Sequence, residues 1–332
     1  MTSRAGSTAP AGPTLVRIVA ILGPTASGKT ALAVALAEAG LPLEVVCCDA
    51  SQLVAGLDAA TAKPTATERA AVRHHLVDAY PLTLALSAGA FAAAADAAIA
   101  EVRAAAHWPV LVGGTGLYHR AVVQGLVEIP AIDPSVRQSL SLEAQARGMD
   151  AMWQELAAID PSYAAATPAA NWQRVLRALE VARGTGRAFS AWHAETEPGP
   201  RYHCLDIVLD PDRDWLRQRL DERADAMVEG LLVEAAALVE RGVPREAPGL
   251  QALGYREAMD LHLAMASGGL SAAAARAALR ETLHRGHRAY AKRQRTWFAR
   301  LPAALRVDPA RIDLPALVAG VRVHMAGPTS VR

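Results

Sequence analysis

A chain of 332 residues, 52% hydrophobic and 20% charged, has the composition of a folded globular protein with a sizeable core. A formal net charge of +1 names no partner by itself. Three cysteines, Cys47 and Cys48 adjacent and Cys204 remote, exclude a disulfide framework, show no metal-ligand spacing and fit a reducing cytoplasm.

Residues 1–14 are rich in Ser, Thr, Ala, Gly and Pro, lack the apolar stretch of a secretory signal and are expected to be disordered. Residues 16–22 then form a short apolar run of strand type, and 31–38 a good helix start. Between them stands Gly23-Pro24-Thr25-Ala26-Ser27-Gly28-Lys29-Thr30, which matches the loop that wraps a polyphosphate. Strand, glycine loop and helix start in that order make an anion site, because backbone N–H groups and the helix dipole point at the ligand. Lys29 would reach the outer phosphate oxygens and the Thr30 hydroxyl would hold Mg²⁺. Only Lys29, Lys63 and Lys292 are lysines among 34 basic residues, so a composition that favours Arg still writes Lys in the loop.

A second strand over 43–48 ends at Asp49. A polar stretch follows, through Thr61-Ala62-Lys63-Pro64. The apolar stretch 82–100 is mostly alanine and carries Asp96, which suits a buried helix over 87–106 better than a membrane span. A third strand over 109–112 runs into Gly113-Gly114-Thr115-Gly116. Alternating strands and helices predict a P-loop-type α/β fold, a parallel sheet flanked by helices, with Gly23, Asp49 and Gly113 converging at the strand ends. From 134 to 200 helical patterns dominate, at 136–147, 151–158 and 172–183, and read as an inserted all-helical domain. A strand returns at 202–209, followed by helices over 212–241, 253–266 and 271–300 and a short strand near 305–307. The expected division is a core of 15–133 plus 201–311, the insertion 134–200, and a tail over 312–332 that carries no signal.

The loop alone indicates phosphate, not a reaction. Phosphoryl-transfer enzymes with such a loop place a Mg²⁺-holding Asp at the end of a later strand, whereas the strand over 109–112 ends in Gly113. Asp49, beside the loop, could take a proton from an attacking amine or hydroxyl; the plainer alternative is an Asx-turn aspartate at a strand corner. About eight basic residues lie between Arg276 and Arg300 against one acid, Glu281, which hints at nucleic acid, with internal ion pairs or a solvated face as the alternative. His74 and His75 look like a metal pair without a third ligand, and structural roles are expected for them. Trp153, Trp172 and Trp192 could stack on bases, with core filling as the other reading.

Several segments in order resemble the tRNA dimethylallyltransferases, also called tRNA isopentenyltransferases. They are the glycine loop; Asp49 with Gln52; Gly56-Leu57-Asp58 and Thr61–Pro64; His74-His75-Leu76-Val77-Asp78; Gly113-Gly114-Thr115-Gly116-Leu117-Tyr118; Asp133-Pro134-Ser135-Val136-Arg137; Gln173-Arg174-Val175-Leu176-Arg177-Ala178-Leu179-Glu180-Val181; Gly254-Tyr255-Arg256-Glu257; and Tyr290-Ala291-Lys292-Arg293-Gln294-Arg295-Thr296-Trp297-Phe298. The resemblance implies transfer of a dimethylallyl group from dimethylallyl diphosphate to N6 of adenosine 37 of tRNA, with Mg²⁺, and a cytoplasmic monomer. It implies catalytic roles for Asp49 as general base, Thr115 and Lys29. Diphosphate would be held by Gly23, Pro24, Thr25, Ala26, Ser27, Gly28, Lys29 and Thr30, with Arg219 and Arg223 as a clamp. The tRNA anticodon stem-loop would meet Asp49, Ala50, Ser51, Gln52, Thr115, Arg137, Gln173, Arg174, Val175, Leu176, Arg177, Gln251, Gly254, Tyr255 and Arg256.

The chain departs from the family's Asp-Ser-x-Gln-x-Tyr pattern, with Ala50 for the serine and Val54 for the tyrosine, and Ala60 replaces a usual glycine. Ser51 could supply the missing hydroxyl if its side chain points the same way. Three other readings stay open: prenylation of free AMP, ADP or ATP, a small-metabolite kinase, and an RNA-binding protein with a vestigial nucleotide site.

Overall fold

The computed structural model describes residues 15–195 and 198–327. The disorder expected over 1–14 lies outside these residues. Six parallel strands form one sheet in the order β3-β2-β4-β1-β5-β6: β1 (Arg17–Leu22), β2 (Leu43–Cys47), β3 (His74–His75), β4 (Trp108–Gly113), β5 (His203–Leu209) and β6 (Leu305–Val307). β1 lies centrally, with Ile21 opposite Val112 on one side and Ile207 on the other. Residues Ile18 to Leu22 are fully buried, as a parallel strand covered on both faces requires.

One sheet face presents Val19, Ile21, Val45, Val110, Ile207 and Leu209. α1 (Lys29–Glu38) and α13 (Leu314–Ala326) cover it through Leu32, Leu36, Leu317 and Val321. The stretch after 312 is therefore a core helix rather than a featureless tail; only the sheet surface it covers makes its apolar positions meaningful. α3 (Ala88–Ala104), capped by the Ser87 hydroxyl, buries Phe91, Ala95, Ile99 and Val102. Among the described residues no helix is long and apolar enough to cross a membrane. β3 was not legible in the sequence because two residues give no periodicity; it is defined by its pairing with Val45 and Val46.

After β5, three helices pack together: α10 (Arg213–Glu240), α11 (Tyr255–Ala266) and α12 (Ala272–Phe298). Their core includes Leu231, Leu238, Tyr255, Met259, Leu279 and Leu283, joined by Leu57 from the loop after β2.

Two compact units divide the described residues: 15–123 with 201–327, and those within Gln124–Pro200. The helical unit begins at 124 rather than 134; Ile132 packs where a Cβ on Gly184 would lie, which ties the preceding segment to it. It contains α5 (Pro134–Arg147), α6 (Met149–Ile159), α7 (Pro161–Ala165), α8 (Trp172–Thr185) and α9 (Phe189–Glu195) around Leu140, Met152, Leu156, Val175 and Leu179. Asp133 caps α5 by accepting from the Ser135 amide, with Pro134 at the first helical position.

Candidate active site

The strands β2, β4 and β1 are neighbours, so the loops leaving their carboxyl ends are neighbours as well. The β2 end is bound to the β4 end: Cys48 N donates to Val112 O (2.8 Å) and Thr115 N to Cys48 O (3.2 Å). A Cβ on Gly113 would lie 2.0 Å from Cys48 O, so only glycine permits this approach. These loops, with α4 (Gly116–Val123), α10 and α12, surround a cavity of about 560 Å³.

Thr25, Ala26, Gly28, Lys29 and Thr30 line the cavity, and so do Asp49, Ala50, Ser51 and Gln52. The nest and the carboxylate therefore share one space. Gly23, Pro24 and Ser27 belong to the loop but not to the lining. Lys29 Nζ donates to Gly23 O (3.2 Å) and Pro24 O (2.9 Å). Burial lowers the Lys29 pKa to about 8, with Asp49 opposing the shift and Arg223 adding to it.

Asp49 Oδ1 accepts from the Ser51 amide (3.1 Å) and the Ser51 hydroxyl (2.7 Å). The Asx-turn reading of Asp49 is thus correct for Oδ1, while Oδ2 makes no hydrogen bond among the described residues. Gln52 is occupied: its Nε2 donates to Ala62 O (2.7 Å), and the Cys47 thiol donates to its Oε1 (3.4 Å). Lys63 is also structural, bonded to Val54 O (2.8 Å) and Asp58 (2.9 Å) and paired with Asp78.

Arg219 and Arg223, one turn apart on α10, both line the cavity. Arg219 Nε holds Ala26 O (3.1 Å), fixing a residue whose φ of +65° is unusual without glycine. Arg223 Nε is buried without a partner. Burial lowers its pKa, Asp49 opposing and Arg219 reinforcing.

Other expected residues stand elsewhere. Thr115 does not line the cavity; its hydroxyl accepts from Ala50 N (3.0 Å), so it braces the Asp49 loop. Gln251 lines the cavity, but Gly254, Tyr255 and Arg256 do not. Tyr255 is fully buried, its hydroxyl donating to Glu234 Oε2 (2.5 Å), and Gly254 caps α11 with φ +94°. Both are scaffold, because α11 must start against Leu231 and Leu283.

In the helical unit, Val175 and Leu176 are core residues of α8, which removes both side chains from any RNA surface. Gln173, Arg174 and Arg177 remain on the exposed face. Arg177 and Arg137 share Glu180, at 3.1 and 3.3 Å. Trp153 is packed in the core and donates to Thr167 O (2.7 Å), Trp192 lies under Arg187, and Trp172 is half exposed.

His75 pairs with buried Glu44, which also holds His107, and His74 bonds Val72 O, so the pair is structural. A potential metal-binding trio does assemble from distant positions: His119 of α4 with Cys204 and Asp206 of β5. His119 Nε2 and Cys204 Sγ lie 2.7 and 3.2 Å from the same Asp206 Oδ1, and these hydrogen bonds satisfy the group without an ion.

The cavity wall formed by α12 was not read as a site. His287, Tyr290 and Arg293 line it, and Gln294 reaches both loops from the same helix. Burial, with Arg223 nearby, lowers the His287 pKa to about 4, so it is neutral near pH 7. The spacing of 287, 290 and 294 along one helix face was the available signal. The basic run conceals it, and α10 pairs with three residues of that run: Arg276–Glu229 (2.6 Å), Arg280–Asp225 (3.0 Å) and Arg288–Asp221 (2.5 Å).

A glycine nest closing the central strand, a buried lysine and an acid across one cavity place this α/β fold among the P-loop proteins whose nest faces a second substrate. The chain belongs to the IPP transferase family, whose sequence profile matches residues 52–301. A tRNA dimethylallyltransferase of Thermus thermophilus is 44% identical over 289 residues, 86% of this chain and 90% of that one. One from Desulfovibrio desulfuricans is 39% identical over 307 residues, 92% of each chain. The crystal structure of a full-length tRNA isopentenylpyrophosphate transferase from Bacillus halodurans is similar, with a TM-score of 0.66 at 34% identity, covering 93% of this chain and 97% of that one.

Proposed function

We propose that this enzyme transfers the dimethylallyl group of dimethylallyl diphosphate to N6 of adenosine 37 in tRNA, releasing diphosphate. The observation that carries the reading is the cavity shared by Lys29 and Asp49, on a chain whose relatives are named for this reaction.

The diphosphate lies against the amides of Gly28, Lys29 and Thr30, with Lys29, Arg219 and Arg223 supplying positive charge. The orphaned Arg223 Nε gains an acceptor in this arrangement. As the allylic C–O bond breaks, its electron pair goes to the diphosphate, where these groups await the charge. The N6 lone pair of adenine forms the new C–N bond, and the amine proton passes to Oδ2 of Asp49. The base must leave its stack to reach Asp49, which a single-stranded loop makes inexpensive.

Thr30 lines the nest, its hydroxyl makes no hydrogen bond among the described residues, and Asp49 shares the cavity. Oxygen donors of this kind fit Mg²⁺ rather than a thiophilic metal. When bound, Mg²⁺ would neutralise leaving-group charge. The Arg174 face of the helical unit is proposed to hold the stem-loop, in the cytoplasm and by a monomeric enzyme.

The test incubates purified protein with dimethylallyl diphosphate, Mg²⁺, a tRNA anticodon stem-loop and, in competition, AMP. Nucleoside mass spectrometry should find isopentenyladenosine in the stem-loop alone. Prenylated AMP, or no product, would overturn the reading.

A further inference from the structure

The side chain of Gln294 joins two loops, the phosphate loop and the turn after β4. Its Oε1 accepts from the Thr25 amide of the phosphate loop (2.8 Å), and its Nε2 donates to Gly114 O (3.0 Å). The residue is buried at 4% exposure, so water does not compete for either bond. A backbone N–H on one side and a C=O on the other admit one orientation of the amide.

The fit is close. A Cβ on Gly114 would lie 2.1 Å from Gln294 Nε2 and 3.5 Å from Asp49 Oδ2. Gly114 is thus glycine so that Gln294 can reach its carbonyl, and the amide stands beside the oxygen left free on Asp49. Three residues on, Trp297 fills the space where a Cβ on Gly116 would lie, at 2.2 Å. α12 therefore packs against Gly114 and Gly116 of this turn while its Gln294 holds the phosphate loop.

We propose that Gln294 is a positioning residue that sets the separation between the diphosphate nest and the Asp49 carboxylate. The inference rests on the prenyl-transfer reading and deepens it. Transfer needs the allylic carbon and the adenine amine in contact while the phosphate loop holds one and Asp49, whose loop is bonded to the 113–116 turn through Cys48 and Ala50, meets the other. A misplacement of about 1 Å is enough to cost on the order of 10²-fold in rate. A corollary concerns the nest itself: the Thr25 amide is already committed to Gln294, so diphosphate is held by amides from Gly28 onward and not by Thr25.

Two variants separate the chemistry from mere packing. Gln294→Met keeps length and loses both bonds; Gln294→Glu keeps the Thr25 acceptor but sets a second oxygen against Gly114 O. With stem-loop and dimethylallyl diphosphate, both should lose about 10²-fold in kcat, with KM for the stem-loop within about twofold of wild type. Inorganic pyrophosphate, titrated calorimetrically in the absence of RNA, should bind each variant within about tenfold of wild type. Gln294→Asn, with the right groups on too short a stem, should not rescue. Wild-type kcat in either folded variant overturns the proposal.

The second measurement uses the unaltered protein. Hydrogen exchange of the Thr25 amide, followed by ¹⁵N-threonine NMR, should be slow without ligand and unchanged by pyrophosphate. Protection that arises only on adding pyrophosphate overturns the proposal whether or not the variants fold. Absence of prenyl transfer by wild-type protein would instead count against the functional reading, since the exchange result does not depend on it.

Discussion

The hydroxyl of Ser51 donates to Oδ1 of Asp49 at 2.7 Å, and the Ser51 amide donates to the same oxygen. Position 50, directly after the aspartate, is alanine, and its amide meets Thr115 Oγ1. The hydroxyl that reaches the carboxylate is thus the one two positions after Asp49. Two donors on Oδ1 stop the carboxylate from rotating and keep Oδ2 toward the cavity. Asp49→Asn should lower turnover by about 10²–10⁴-fold, the usual contribution of a positioned base. Ser51→Ala should cost about tenfold in kcat, roughly 1.4 kcal/mol of barrier, with KM for dimethylallyl diphosphate unchanged. Equal turnover in Ser51→Ala and wild type, measured by stem-loop prenylation, would show that this serine orients nothing.

With Lys29 in the proposed diphosphate nest, diphosphate binding should depend on pH in the alkaline range. Its pKa in the free protein is lowered to about 8, chiefly by burial. A lowered cation pKa means that the charge is present below about 8 and lost above it. kcat/KM for dimethylallyl diphosphate reports the free enzyme and should fall as pH rises past 8, approaching tenfold per unit. kcat at saturation should fall less, because bound diphosphate holds the proton on the amine. Lys29→Gln should have low kcat/KM and no alkaline limb from this group. A wild-type profile flat to about pH 9.5 would contradict the assignment.

Gln294 and Lys29 show where legibility in the sequence ended. The Lys29 loop was legible because its chemistry is local: strand, glycines and helix start lie within 23 residues of chain, 16–38. Asp49 and Gly113 could be placed with it because neighbouring strand ends follow from an alternating pattern. Gln294 comes to the Thr25 amide from 269 residues away, and no local rule predicts that. Its segment reads as a basic helix surface, and only the packing against α10 shows that Arg276, Arg280 and Arg288 are balanced internally. Val175 and Leu176 turn their side chains into the core for a related reason: a motif marks a helix, but the packing of α8 decides which of its residues face outward. The trio of His119, Cys204 and Asp206 likewise forms only when α4 lies on β5.

Glu44 is buried at the sheet and holds His75 (2.5 Å) and His107 (2.7 Å). Burial raises its pKa, but the hydrogen bonds from His75 and His107 outweigh that, and the net shift is downward from 4.5. A depressed carboxylate pKa stabilises the fold above the unfolded value and loses that contribution as pH falls through the folded one. Glu44→Gln should therefore destabilise the protein by about 2 kcal/mol at pH 7. The gap to wild type should narrow below about pH 4.5. Urea unfolding of both proteins at pH 7 and at about pH 4 measures it. A gap that is constant, or that widens in acid, would mean that Glu44 is not ionised in the fold.

Arg174 is the remaining free cation of its motif. It is exposed on α8 and makes no side-chain bond among the described residues, whereas Arg177 is tied to Glu180. An unpaired guanidinium costs little to bring to a phosphate, because no ion pair must first be broken. Arg174→Ala should raise KM for the stem-loop several-fold and leave KM for dimethylallyl diphosphate unchanged. Loss of one phosphate contact should also reduce the slope of log Kd against log salt by about 0.7–0.9. Arg177→Ala should weaken RNA less, since that residue already spends part of its charge on Glu180. Stem-loop binding titrated between about 50 and 200 mM salt distinguishes the two. An unchanged slope in Arg174→Ala would move the RNA off this face of α8.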